Sequence, residues 1–165
     1  MLSLQHILID GTILSLAMSV IIVGSLYYNP RLWLQDYPKE MQAKVPPLTA
    51  SEKRIRNFLI LPVLLAFIGW PLLSVQQLRA ENGGTLPFII AYLHVFFVAN
   101  IFNLFDALVI DFLFLTLMKP KFAVLPGTEG MEYLYHDWSM HIANYLKGIV
   151  FCAVLGVPIA VIAVL

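Results

Sequence analysis

The chain of 165 residues is 60% hydrophobic and only 12% charged, and its ten basic and ten acidic side chains cancel to zero net charge. A soluble domain carries about 25% charged residues, so this composition excludes a freely water-soluble globule, and the missing basic excess argues against a nucleic-acid partner. The one cysteine, Cys152, lies in an apolar run; it reads as a small buried hydrophobe, with no internal disulfide and no Cys-x-x-Cys chemistry open to it.

A bilayer core of roughly 30 Å requires about 20 apolar residues in a helix. Four segments qualify: Ile7 to Tyr28, Asn57 to Val75, Leu86 to Met118 and Ile142 to Leu165. The expected fold is all-α, a single polytopic unit over residues 1–165 with four transmembrane helices in an antiparallel bundle. The first segment has no basic n-region, carries His6 and Asp10, and runs too long for a signal peptide, so it reads as a retained span. Asn29-Pro30 ends it, and "NPRLWLQDYP" (29–38) mixes aromatic and charged residues as a segment lying in the membrane interface does.

Pro46-Pro47 precede Thr49-x-x-Glu52, a capping-box spacing that starts the second helix near Ala50, before the membrane. Pro62, Pro71 and Pro158 fall inside spans, where each is expected to bend or end its helix. Asn82-Gly83-Gly84 turns the chain between the second and third spans, and Lys119-Pro120 stops the third. "PGTEG" (126–130) lacks the spacing and the Lys-Ser ending of a phosphate-binding loop and reads as a turn. Asp137 is placed to cap the fourth helix.

Nine of the ten basic residues lie in or beside two connections: Arg31, Lys39, Lys44, Lys53, Arg54 and Arg56 in the first, and Lys119, Lys121 and Lys147 at the other. Only Arg79 opposes them. The positive-inside rule therefore puts loops 29–56 and 119–141 in the cytoplasm and both termini outside, in the cell's inner membrane. Tyr27, Tyr28, Trp33, Tyr133, Tyr135 and Trp138 flank that inner side as an aromatic belt.

The third span holds "NIFNLFDALVIDFLFL" (100–115), with Asn100, Asn103, Asp106 and Asp111 among large apolar residues. At 100° per residue these four fall within about 140° of one face. Such a stripe must meet other helices or a wet cavity, because lipid offers it no partners. The amides suit hydrogen-bonded helix contacts. The aspartates divide between a structural ion pair and a functional site, since an ionised carboxylate in the membrane costs about 2.5 to 3.5 kcal/mol. The run is about 50 Å long as one α-helix, so it is expected to tilt, break or protrude.

Partners on the same side are His136, Asp137, His141, Asn144 and Lys147, with Arg54 or Arg56 near the mouth. Carboxylates with histidine suit a proton relay or a divalent metal, although no metal-binding motif is present. A second cluster lies outside: His6 and Asp10, four residues apart on a face continued by Ala17 and Gly24, with His94 at similar depth. These histidines suit helix-interface hydrogen bonds, with haem or chlorophyll ligation as the alternative. Small residues recur every four positions at Gly11, Ser15 and Ser19 and at Gly148, Cys152, Gly156 and Ala160, which brings helices close within the chain or between copies.

With "LQDYPKE", "VPP", "LFDALVID" and "LPGTEG" on four spans, the chain resembles a family of small bacterial integral membrane proteins. That resemblance implies a multi-pass bacterial protein and, as the family has no assigned activity, transfers no site residues. Three functions fit the sequence. One is a helix-packing interaction protein or accessory subunit, as a homo-oligomer or within a larger complex. Another is a small proton- or ion-coupled transporter using Asp106 and Asp111. The third is a membrane enzyme with an Asp/His site open to lipid or quinone.

Overall fold

The structure is a computed structural model that describes residues 1–165. It is all helical and contains no strand. Four helices are long and apolar enough to cross a membrane: α1 (Leu4–Tyr28), α3 (Ala50–Glu81), α4 (Phe88–Met118) and α5 (Trp138–Val164). Their outward residues suit lipid, with Val20, Leu73, Val150 and Val154 all largely exposed. A short helix, α2 (Lys39–Lys44), and 3-10 turns at Pro30–Asp36, Lys121–Ala123 and Glu132–His136 complete the connections.

The expected punctuation forms. Asn29 closes α1 through its backbone N–H to Ser25 O and starts the next turn by accepting from Arg31 N. At α3, Thr49 Oγ1 accepts from Glu52 N while the Glu52 carboxylate accepts from Thr49 N, a complete capping box. Asp137 Oδ1 accepts from Ser139 N and Met140 N at the start of α5. Lys119 ends α4 in the left-handed region at φ 46°.

Of the two outcomes expected at Pro62, Pro71 and Pro158, a bend or an end, the second does not occur; α3 and α5 run through them. Between Pro62 and Pro71 lies one wide turn, Leu65–Gly69, with i→i+5 hydrogen bonding. The departure from expectation is in α4. From Asp106 to Met118 it is wound as a π-helix, continuing to the bond from Lys119 N to Phe114 O. A wider helix uses more chain per unit length. Part of the excess length of this segment is taken up that way.

Side chains seated on glycines of the neighbouring helix hold the bundle together. A Cβ on Gly11 of α1 would come within 2.6 Å of Ile101 in α4, and one on Gly148 of α5 would collide with the Asn103 amide. Gly156 faces the Tyr92 ring. An apolar core of Leu14, Met18, Phe67, Val98, Phe102 and Cys152 joins all four long helices. A second, around Val75, Leu78, Val95 and Ile159, joins α3, α4 and α5. A third lies outside the long helices: Tyr37, Met41, Val45, Leu125 and Tyr135 join the two basic connections into one cap. Tyr37 Oη donates to Ala123 O at 2.6 Å across it.

Candidate functional site

Under that cap is a cavity of about 220 Å³. Asp106, Ile110, Asp111 and Leu115 of α4 line one wall. In an α-helix Asp106 and Asp111 stand about 140° apart. The i→i+5 winding turns residues five apart toward a common side, and both carboxylates reach the same cavity. Thr116, five residues further on, is buried; its hydroxyl lies 2.8 Å from Asp111 O and 3.2 Å from Tyr135 O. Met140, His141 and Asn144 of α5 face them, and Trp33, Asp36, Tyr37 and Tyr135 enter from the cap.

Three carboxylates thus share a space that no lysine or arginine lines. Neither Asp106 nor Asp111 accepts a side-chain hydrogen bond from the protein. His141 Nδ1 lies 3.7 Å from Asp111 Oδ2. His141 Nε2 lies 2.7 Å from Tyr135 O, which can only accept, so this nitrogen carries the hydrogen. In the neutral ring Nδ1 is then a bare lone pair, buried and unbonded, facing Asp111. A proton added there creates an ion pair without moving a side chain.

The rim is tuned as well. Loss of surrounding water raises Asp36 above the ordinary carboxylate range; the hydrogen bond from Gln35 opposes this, and repulsion from Asp111 adds to it. Burial first, then the neighbouring Tyr135 and Asp36, push the Tyr37 hydroxyl up, and burial does the same to Tyr135. Both tyrosines stay neutral at physiological pH.

The sequence-level stripe divides. Asp106, Asp111, His141 and Asn144 meet at the cavity, whereas Asn103 donates to Tyr145 O at 3.2 Å as a link between α4 and α5. Asn100 donates to Phe96 O in its own helix and lines a separate groove with Ile7, Ile101 and Tyr145. Lys147 is exposed beside Val150 and Phe151, away from the cavity. Two steps of three residues rotate it about 120° from His141. His136 is exposed, and Asp137 is occupied as the cap of α5. Arg56 bonds Gln35 Oε1, and Arg54 lies on an exposed face with Lys53. Asp36, Tyr37 and Thr116 escaped the sequence reading, because only the joined loops and the π winding bring them in.

The cluster expected from His6, Asp10 and His94 also divides. His6 pairs with Glu81 at 3.4 Å. Asp10 and His94 are joined instead through Ser74, whose hydroxyl lies 2.6 Å from each. No three His, Cys, Asp or Glu side chains converge closely enough to hold a metal ion. No protein-family model matches the chain, and no curated protein or solved structure shows significant similarity to it.

Proposed function

We propose that this is a multi-pass protein of the cell's inner membrane, an antiparallel four-helix bundle with both termini outside. In this reading the cavity binds protons or a small inorganic cation from the cytoplasmic side, as the ion-handling element of a small carrier. One observation carries it: Asp106 and Asp111 occupy one cavity that no lysine or arginine lines, and the charged partner within reach is His141, 3.7 Å from Asp111. Two such carboxylates cannot both stay ionised cheaply; they take up a proton or hold a cation. The basic residues of the joined connections favour placing that end in the cytoplasm.

The other functions have less behind them. Several of the small residues that suggested partner helices are spent inside the chain, Gly11 on Ile101, Gly148 on Asn103 and Gly156 on Tyr92, while Ala17 and Gly24 stay open on α1. A lipid- or quinone-sized substrate needs roughly 300 Å³ or more, beyond this cavity of about 220 Å³. Four spans are few for a carrier, so self-association or docking to other membrane helices belongs to the proposal.

The test is proton flux in liposomes driven by a potassium diffusion potential, with Asp106→Asn, Asp111→Asn and the double variant. Wild-type flux that falls at least tenfold in a folded double variant is the expected result. Equal flux in both overturns the reading, as does a folded wild type that neither carries protons nor binds a small inorganic cation. In a Cys152→Ala background, cysteines at exposed Ala43 and Thr85 are expected to label from opposite sides of the membrane, Ala43 from the cytoplasm.

A further inference from the structure

At the other end of α1 and α4, Asp10, Ser74 and His94 form a continuous polar chain. Ser74 Oγ is 2.6 Å from Asp10 Oδ2 and 2.6 Å from His94 Nε2. His94 has no exposed surface, and its Nδ1 has no hydrogen-bond partner. Asp10 is partly exposed, and its backbone carbonyl accepts from Trp70 Nε1 at 3.0 Å. Three helices therefore hold a carboxylate, a hydroxyl and an imidazole in line, running from the surface into the core.

The hydroxyl has one proton to give. With Asp10 ionised, Ser74 donates to it and accepts from His94 Nε2–H, which leaves Nδ1 as a bare lone pair. A proton arriving at Nδ1 makes the ring an imidazolium. If the Nε2 proton then moves to Ser74 Oγ as the Ser74 proton moves to Asp10 Oδ2, both hydrogen bonds survive with reversed direction. His94 is neutral again, now protonated on Nδ1, and Asp10 is a neutral acid. One proton has entered, no other bond has changed, and no charge pair is left in the dry interior.

We infer that Asp10, Ser74 and His94 are a proton relay, carrying a proton between His94 Nδ1 in the core and the Asp10 carboxyl at the surface. This goes beyond the cavity and stands on separate residues. The charged and titratable groups around it are few. They are His6 on α1, Glu81 paired to it, Arg79 bound to Ala163 O and Gly84 O, and the N-terminal amine, bound to the Asn82 side chain. The hydroxyl is the only link between carboxylate and imidazole, and this separates a relay from two independent buried groups.

The test is nitrogen-15 NMR of the histidine rings with infrared detection of protonated carboxyl groups, on the full chain in lipid nanodiscs across an acid titration. The four histidines are assigned with His94→Gln. In wild type His94 is expected to pass from the Nε2–H to the Nδ1–H tautomer as a carboxyl band appears, and Asp10→Asn removes both changes. Ser74→Thr keeps them, and Ser74→Ala loses the tautomer exchange. A wild-type His94 that becomes imidazolium while Asp10 stays ionised, or that keeps its Nε2–H form throughout, overturns the relay. That reading needs no variant to fold, and it is separate from the flux assay on Asp106 and Asp111.

Discussion

Asp111 Oδ2 and His141 Nδ1 face each other at 3.7 Å, and no protein hydrogen bond occupies either atom. The Tyr135 carbonyl fixes the ring from its other side, so the open edge of the imidazole and the open edge of the carboxylate bound the same space. Under the proposed function, an ion entering it meets Asp111 directly and His141 as a competitor for that charge. Asp111→Asn is expected to weaken cation binding at least tenfold, in line with losing a charged contact of about 1.5 to 3 kcal/mol. His141→Gln is expected to leave binding but flatten its pH dependence. Calorimetric titration with alkali and alkaline-earth chlorides at several pH values checks both, with exposed Lys147→Gln as the unaffected control.

The glycines make a sharper test of packing. Gly148→Ala drives a methyl group into the Asn103 amide, whereas a Cβ at Gly24 meets nothing within 4 Å. Overpacking costs about 1 to 3 kcal/mol, while Ala for Gly inside an open helix gains up to about 1 kcal/mol. Thermal unfolding in one detergent should therefore move down for Gly148→Ala and stay level or rise for Gly24→Ala. Adding Asn103→Ala to Gly148→Ala should recover most of the loss. A harmless Gly148→Ala would mean that α4 and α5 do not approach as closely as described.

Much of this architecture can be read from the chain because its signals are local. Thr49 and Glu52 cap a helix wherever they stand three apart, Lys119-Pro120 stops one, and uninterrupted apolar length marks the four long helices. The polar residues of α4 were harder, because a face can be read only if the winding is known. With α-helical winding, Asp106 and Asp111 belong to one broad stripe with Asn100 and Asn103. With the observed winding, Asp106 and Asp111 share a cavity with Ile110 and Leu115, and the asparagines go elsewhere. No local pattern announces thirteen residues of π-helix. The five-residue spacing of Asp106, Asp111 and Thr116 is its one trace. Ser74 had no signal at all: a lone serine in an apolar helix gains meaning only when Asp10 and His94 arrive from other helices.

Asp36 gives a pH prediction at the rim. Its folded-state carboxyl binds a proton more readily than the ordinary carboxylate does, through lost water and the nearby Asp111. Between the ordinary range and the raised one, the folded chain holds more protons than the unfolded chain, so stability falls as pH rises through that window. Unfolding temperatures across mildly acidic pH are expected to show this decline in wild type. Asp36→Asn should flatten it and raise stability at neutral pH. An identical slope in the variant would remove Asp36 as its source.

Arg31 is expected to hold the cap over the cavity. Its Nε bonds Glu52 Oε1 at 2.6 Å, and one Nη reaches Glu52 Oε2 and the carbonyls of Pro46 and Pro47. The same Glu52 closes the capping box of α3 and accepts from Asn29 Nδ2. One guanidinium thus joins the end of α1, the proline turn and the start of α3, just ahead of Trp33, Asp36 and Tyr37 in the cavity wall. A lysine supplies charge but not the planar fork. Arg31→Lys is expected to cost about 1 kcal/mol or more against local opening, which corresponds to roughly fivefold faster trypsin cleavage at exposed Lys44. Thr49→Ala, which removes only a cap hydroxyl, should change the cleavage rate less. If the cap seals the cavity, ion binding in Arg31→Lys should also exchange faster at unchanged pH dependence, since His141 and Asp111 are untouched. Cleavage at the wild-type rate would show that the tyrosine core of the two connections holds the cap without the arginine.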